Sequence, residues 1–397
     1  MRAIFLSSFA LLVLVSLAAF PTPTFGEDET KAPAIEIVPG PEAPTGPFAD
    51  KPSVVALFEI RKLKTEGKLE EYEKALIGYK DKFMEQQLVY LELAAFYKEK
   101  GDKANCDLYL KKVDTLEHGG GGKCSDPSLL SIPGTLEILA SLIELNPGSF
   151  RMNHYIAQTY IAYGYPDLAI KHVDAHKDAY AGREPMNYWG KLLGIGTMYC
   201  DMEGINKLAT RCETMFKCHN NSPDGILNLM NFRSSVVSGL YEYKRYEMAI
   251  ERADADLARF AEEAKKMENH EVFTAEGARP TELVIYKGVR VPMAKLMHLQ
   301  TRARALVALK KMEGLYDPFT QMLADADKVE IPEGELGREM PWHLKARVYH
   351  SASEVARAAG DEKLAEEYMK KGEEARQKAR EIMHERPRGP KPEENPK

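Results

Sequence analysis

His172 and His176 lie four residues apart and bracket Asp174. On a helix that spacing puts two imidazoles on one face, where they could share a metal ion. The chain has no HExxH sequence and shows no third ligand. The pair therefore reads as packing, with His176 on the inward side, and no metal or cofactor is expected. Cysteines stand at 106, 124, 200, 212 and 218, an odd set that leaves one thiol over in an oxidising compartment. Cys106 and Cys124 could close through the run Gly119–Gly122, and Cys212 could reach Cys218 if its helix ends near Phe216. Cys106 and Cys212 also suit small buried positions between helices. Cys218-His219 is half of a haem-attachment sequence, but Met215 stands where the other Cys is needed. HGGGGKCS at 118–125 falls short of a phosphate loop. Glu117 and Cys124 replace the required Gly and Ser/Thr, and no strand precedes it. No Ser/His/Asp set or carboxylate pair stands out, so no catalytic residue is expected. Asn220-Asn221-Ser222 is the one glycosylation sequon.

The elements that hold these residues have helical period. VVALFEIRKL, LVYLELAAFY, LEILASLIEL and LAEEYMKKGEEARQKAREI carry apolar residues at threes and fours. Between them lie EGK at 66–68, KGD at 100–102, YGYPD at 163–167 and AGD at 359–361. Gly suits the left-handed end of one helix, and Asp or Pro the first turn of the next. Connections this short make neighbouring helices antiparallel. The segment EVFTAEGARPTELVIYKGVRVP at 271–292 breaks the pattern. LVIY and VRV flank Lys287-Gly288, which predicts a small β-hairpin near 281–292 or a strapped loop.

Composition narrows the function. Of 397 residues, 44% are apolar, enough for a sizeable core. A net charge of −6 with no long basic run argues against nucleic acid as a partner. Arg2 precedes an uncharged apolar run from Ala3 to Phe20, and PTPTFGEDE follows. This is the pattern of a secretory signal peptide over 1–26, with cleavage before Glu27 or after Ala19. A retained signal anchor is the alternative, because the run approaches the shortest membrane span. No other segment could span a membrane. The chain is thus expected to be exported, periplasmic or secreted. Residues 27–52 are rich in proline and acid and read as a disordered or extended linker, and 386–397 as a disordered tail. The folded region is expected over 53–385.

Small residues recur where paired helices must touch. Ala157 and Ala169 lie on either side of Gly164, with Tyr160 and Val173 around them. The pattern returns at Ala94, Tyr97, Gly101, Cys106 and Leu110, and more weakly at Ile60, Leu63, Gly67, Tyr72 and Leu76. Gly67 and Gly101 are 34 residues apart, the tetratricopeptide period. Further matches are Gly196, Tyr199, Leu208 and Cys212; Val237, Leu240, Ala249 and Ala253; and Ser353, Ala356, Gly360, Ala365 and Met369. A degenerate pair covers 293–328, Trp189 takes the place of the early Trp, and Asn146-Pro147 ends a repeat. The chain resembles the tetratricopeptide-repeat family over most of 53–385, with imperfect repeats and insertions.

The resemblance implies an all-α solenoid of antiparallel hairpins whose first helices line a concave groove. Carried onto this sequence, the groove holds Arg151, His154, Gln158, Thr197, Asn231, Ser234, Ser238, Tyr241, Arg347, His350, Glu354 and Arg357, with Ile161, Leu193 and Cys200. Such a polar groove suits a protein or an extended peptide, whose backbone needs donors and acceptors along its length. The Lys and Asn clamp for chaperone tails is not at these places. The leading expectation is a non-enzymatic binding or scaffold protein of the cell envelope. The alternatives are a glycan- or nutrient-capture protein, and a metal-dependent enzyme.

Overall fold

In the computed structural model, residues 35–83, 86–118, 126–215, 222–333 and 335–385 are described. Secondary structure among them is helical, with no strand. The segment expected as a signal peptide, the tail, Cys124, Cys218 and the sequon asparagine lie outside the described residues.

The chain begins with irregular residues 35–51 and continues into α1 (Pro52–Thr65), α2 (Leu69–Lys82), α3 (Gln87–Glu99) and α4 (Lys103–His118). A short 3-10 turn, Pro127–Ser131, precedes α5 (Thr135–Ile143), α6 (Phe150–Ala162) and α7 (Pro166–Ala175). A second 3-10 turn, Lys177–Tyr180, leads to α8 (Pro185–Tyr199), α9 (Met202–Met215), α10 (Pro223–Glu242) and α11 (Tyr246–Met267). The remainder is α12 (Glu271–Thr274), α13 (Pro280–Ile285), α14 (Val291–Ala308), α15 (Asp317–Asp327), α16 (Met340–Ala358) and α17 (Glu362–His384).

Turn chemistry sets many of these boundaries. Gly67, Gly101, Gly164 and Gly360 follow helices with φ between +73° and +87°, a conformation only Gly adopts freely. Lys244 and Lys310 take the same left-handed position at φ 61° and 60° without that freedom. Ser149, Ser222 and Asp361 cap the starts of α6, α10 and α17 by accepting a backbone N–H two or three residues into the helix.

Helices pair as α1 with α2, α3 with α4, α6 with α7, α8 with α9, α10 with α11 and α16 with α17. Helices α3, α5, α6, α8, α10, α14 and α16 pack each on the next. α15 lies more closely on α16 than on α14. Small residues sit where helices approach: Ala157 and Ala169 are fully buried, and a Cβ on Gly196 would lie 2.6 Å from Leu208 Cδ1. One apolar core runs from Val38 to Ala253 and takes in Ala305, and two smaller ones span Val289–Val355 and Ile226–Ala294.

The hairpin expected near 281–292 is helical instead. α13 continues through one π-helical turn, Tyr286–Arg290, directly into α14. Pro292 has no N–H to donate to residue 288, and the widened turn lets the helix pass it. The backbone N–H of Val291 bonds back to Tyr286 O. Ile285, Tyr286 and Val289 face inward with helical spacing. Gly288 is a point of close approach to Val329 rather than a hairpin turn.

Candidate functional site

The C-terminal ends of α6, α8 and α10 each carry a tyrosine that meets the proline-rich segment 35–51. Tyr160 donates its hydroxyl to the Glu36 carbonyl at 2.7 Å. The Tyr163 ring lies against Gly40, where an added Cβ would come within 3.0 Å of it. Gly46 has φ +82°, and a Cβ there would overlap the Tyr199 ring. The Phe48 ring meets Tyr243 edge-on at 5.7 Å. Val38 is buried among the helices, Lys171 reaches Glu36 at 3.6 Å, and Lys51 pairs with Asp126. The segment expected as linker is therefore a strap, and Pro39, Pro41, Pro44 and Pro47 restrict its backbone.

Two of the tyrosines are fixed from behind. Tyr163 donates to Ile132 O at 3.0 Å and accepts from the Thr135 backbone N–H at 3.1 Å. Tyr199 donates to Pro127 O at 3.3 Å. Burial pushes the phenols of Tyr160 and Tyr199 up to about 12 and raises those of Tyr163 and Tyr243, so the ridge is neutral. It offers aromatic faces and one hydroxyl donor, which suits a carbonyl-rich chain without free N–H groups.

The groove residues divide into two sets. His154, Gln158, Thr197 and Ser234 are buried, as are Ile161, Leu193 and Cys200. α6 is covered by α5, α7, α8 and both 3-10 turns, with the strap across its end. Several of its polar side chains bond internally, while Asn153 Oδ1 and His154 Nδ1 have no hydrogen-bond partner among the described residues. Gln158 donates to His154 Nε2 at 3.1 Å, and Asn153 donates to Pro147 O at 2.8 Å. Arg151, Ser238, Tyr241 and Glu354 are half-buried, while Asn231, Arg347, His350 and Arg357 are exposed. Arg304 lies over the Tyr241 ring at 4.5 Å, and Glu354 pairs with Arg357 at 2.7 Å.

His172 is the buried member of the histidine pair and His176 the more open one, the reverse of the expectation. The reason is the helix end: His176 follows the last turn of α7, and its Nδ1–H donates to His172 O at 2.8 Å. Among the described residues no group of three or more His, Cys, Asp or Glu could hold a metal ion. Cys106, Cys200 and Cys212 are free and buried, and burial raises each thiol. The two disulfides weighed above each involve a cysteine outside the described residues. No described helix is long and apolar enough to cross a membrane.

The strap was missed because each tyrosine reads as ordinary helix packing. The usable signal is a tyrosine recurring at or just past the helix end, at 163, 199 and 243. No family model matches the chain, and no curated protein matches it.

Proposed function

We propose that this chain is an exported, non-enzymatic binding protein built as an α-solenoid of tetratricopeptide-like hairpins, which holds extended proline-bearing segments of protein partners. The observation that carries the reading is the strap, because the ridge of Tyr160, Tyr163, Tyr199 and Tyr243 already holds such a segment. Aromatic ridges suit proline-rich chains, whose stiff backbone loses little entropy on docking. A partner segment exchanges with the strap, and the open faces of α10 and α16 extend the contact through Tyr241, Arg347 and His350. The apolar leader at the N-terminus supports export.

The test uses a fluorescent peptide with the sequence of residues 35–51 and the full chain. Gly46→Ala combines a strained φ with overlap on Tyr199, so it frees the strap while leaving the ridge intact. Anisotropy should show saturable binding to Gly46→Ala and weaker binding to the wild type, whose ridge is occupied. Adding Tyr160→Phe removes one hydrogen bond and should weaken binding about fivefold, the equivalent of ~1 kcal/mol. If Gly46→Ala takes up no peptide, the reading fails.

A further inference from the structure

Apart from the ridge, a cavity of about 220 Å³ lies where α7, the turn Lys177–Tyr180, α8 and α9 meet. Its wall includes Lys177, Arg183, Arg211, Tyr180 and Tyr188, with Asp174 as its one acid. Asp174 pairs with Arg211 Nη2. Lys177 and Arg183 have no ion-pair partner among the described residues, so the wall keeps a positive excess.

Two residues of this wall carry a buried polar atom that lacks a hydrogen-bond partner: the Tyr180 hydroxyl and Arg211 Nε. Tyr180 is only 4% exposed. Leaving a buried donor unpaired is costly, and a cavity that collects two of them beside two free cations lacks an acceptor. Burial raises the Tyr180 phenol, which keeps it a donor. The cations are held in place by aromatic faces: Arg183 lies 4.8 Å from the Phe150 ring centre and Arg211 5.2 Å from that of Trp189. Pro185 starts α8 at the rim, and Glu184 makes no side-chain cap there, so the positive end of that helix adds to the field.

We infer that this cavity is a binding site for a small oxyanion, a carboxylate or phosphate group, held by Lys177, Arg183, Arg211 and the Tyr180 hydroxyl. Guanidinium groups and a phenol together supply the donors that such groups accept. The volume is several times the ~30 Å³ share of one water. A free anion or a short acid fits, and a polymer does not. Tyr188 and Met215 in the wall give an apolar body somewhere to lie.

The test titrates the full chain with inorganic phosphate and, separately, with benzoate, following Trp189 fluorescence in a Trp342→Phe background. Saturable quenching by either probe is expected. Phosphate alone would mark a bare oxyanion site, and benzoate alone would mark one that also uses the apolar wall. The double variant Lys177→Gln/Arg183→Gln changes exposed side chains, so it should fold normally and weaken binding at least tenfold. Tyr180→Phe should weaken it about fivefold, one hydrogen bond's worth. The inference is overturned if neither probe saturates, or if the double variant binds as the wild type does.

Discussion

Helices α6 and α16 are each the first helix of a packed pair but have opposite surroundings. Every residue of α6 from Met152 to Ala162 is buried. α16 buries one face and leaves Arg347, His350 and Arg357 to solvent. Both carry polar residues at corresponding positions, so polarity alone does not mark an open groove. In α6 Asn153, Gln158 and Thr159 bond to a neighbouring side chain or to backbone under the covering elements. In α16 Arg347, His350 and Arg357 meet water. The region around α6 is thus a filled core that meets the strap at its helix end, and α16 keeps one face open to solvent.

The largest test of this division lies between the regions. Arg233 on α10 is fully buried and bonds Glu213 of α9 at 3.0 Å and Glu263 of α11 at 2.7 Å. Arg233→Met leaves Glu213 and Glu263 with only the exposed Arg259, at 2.9 and 3.0 Å, and Arg252 at 3.8 Å from Glu213, and should cost about 3 kcal/mol in urea unfolding. Arg357→Ala, which breaks an exposed pair, should stay within about 0.5 kcal/mol. Equal effects would erase the distinction.

Acid should act on the filled region next. Burial holds His154 and His172 at about 3, well below the usual imidazole value of about 6.5. Between those values the unfolded chain binds protons that the folded chain does not. Stability is therefore full above about pH 6.5 and falls as the pH drops toward 3, by up to about 1.4 kcal/mol per pH unit for each histidine. His154→Phe and His172→Phe should each flatten that limb in pH-dependent thermal melts. An unchanged limb would mean that these imidazoles are not shielded.

A smaller effect separates the two helices directly. Gln158→Ala removes the amide that serves His154 and should cost about 1–3 kcal/mol. Glu354→Ala at the corresponding place on α16 should change stability by less than about 0.5 kcal/mol. Matching losses in denaturant melts would show that α16 is as enclosed as α6.

Much of the architecture was legible because it is local. Helical period, glycines at φ > 0 and small residues at 157, 169 and 196 lie within one hairpin, and the structure places them as read. The strap was not legible, because composition reports that a segment cannot form a core of its own and says nothing of whether it lies on one. The buried half of the expected groove failed for the same reason: its cover comes from other parts of the chain. The helix at 280–308 was hidden by β-favouring residues and Pro292, which one π-helical turn accommodates. At the histidine pair, the end of α7 between 175 and 176 decided which ring is buried, and helical spacing alone could not place that end.

The strap also sets a schedule. Glu36 and its partner Tyr160 are 124 residues apart in the chain. At a synthesis rate of ~5–20 residues per second, roughly 6–25 s pass between them. Phe48 waits longer still, until Tyr243 is made. Lys51 can meet Asp126 first, and the rest of the segment docks from Glu36 toward Phe48 as α6, α8 and α10 appear in turn. Through that interval the growing chain displays a free proline-rich segment and a half-built ridge of tyrosines. Each is open to other molecules before it can close on the other.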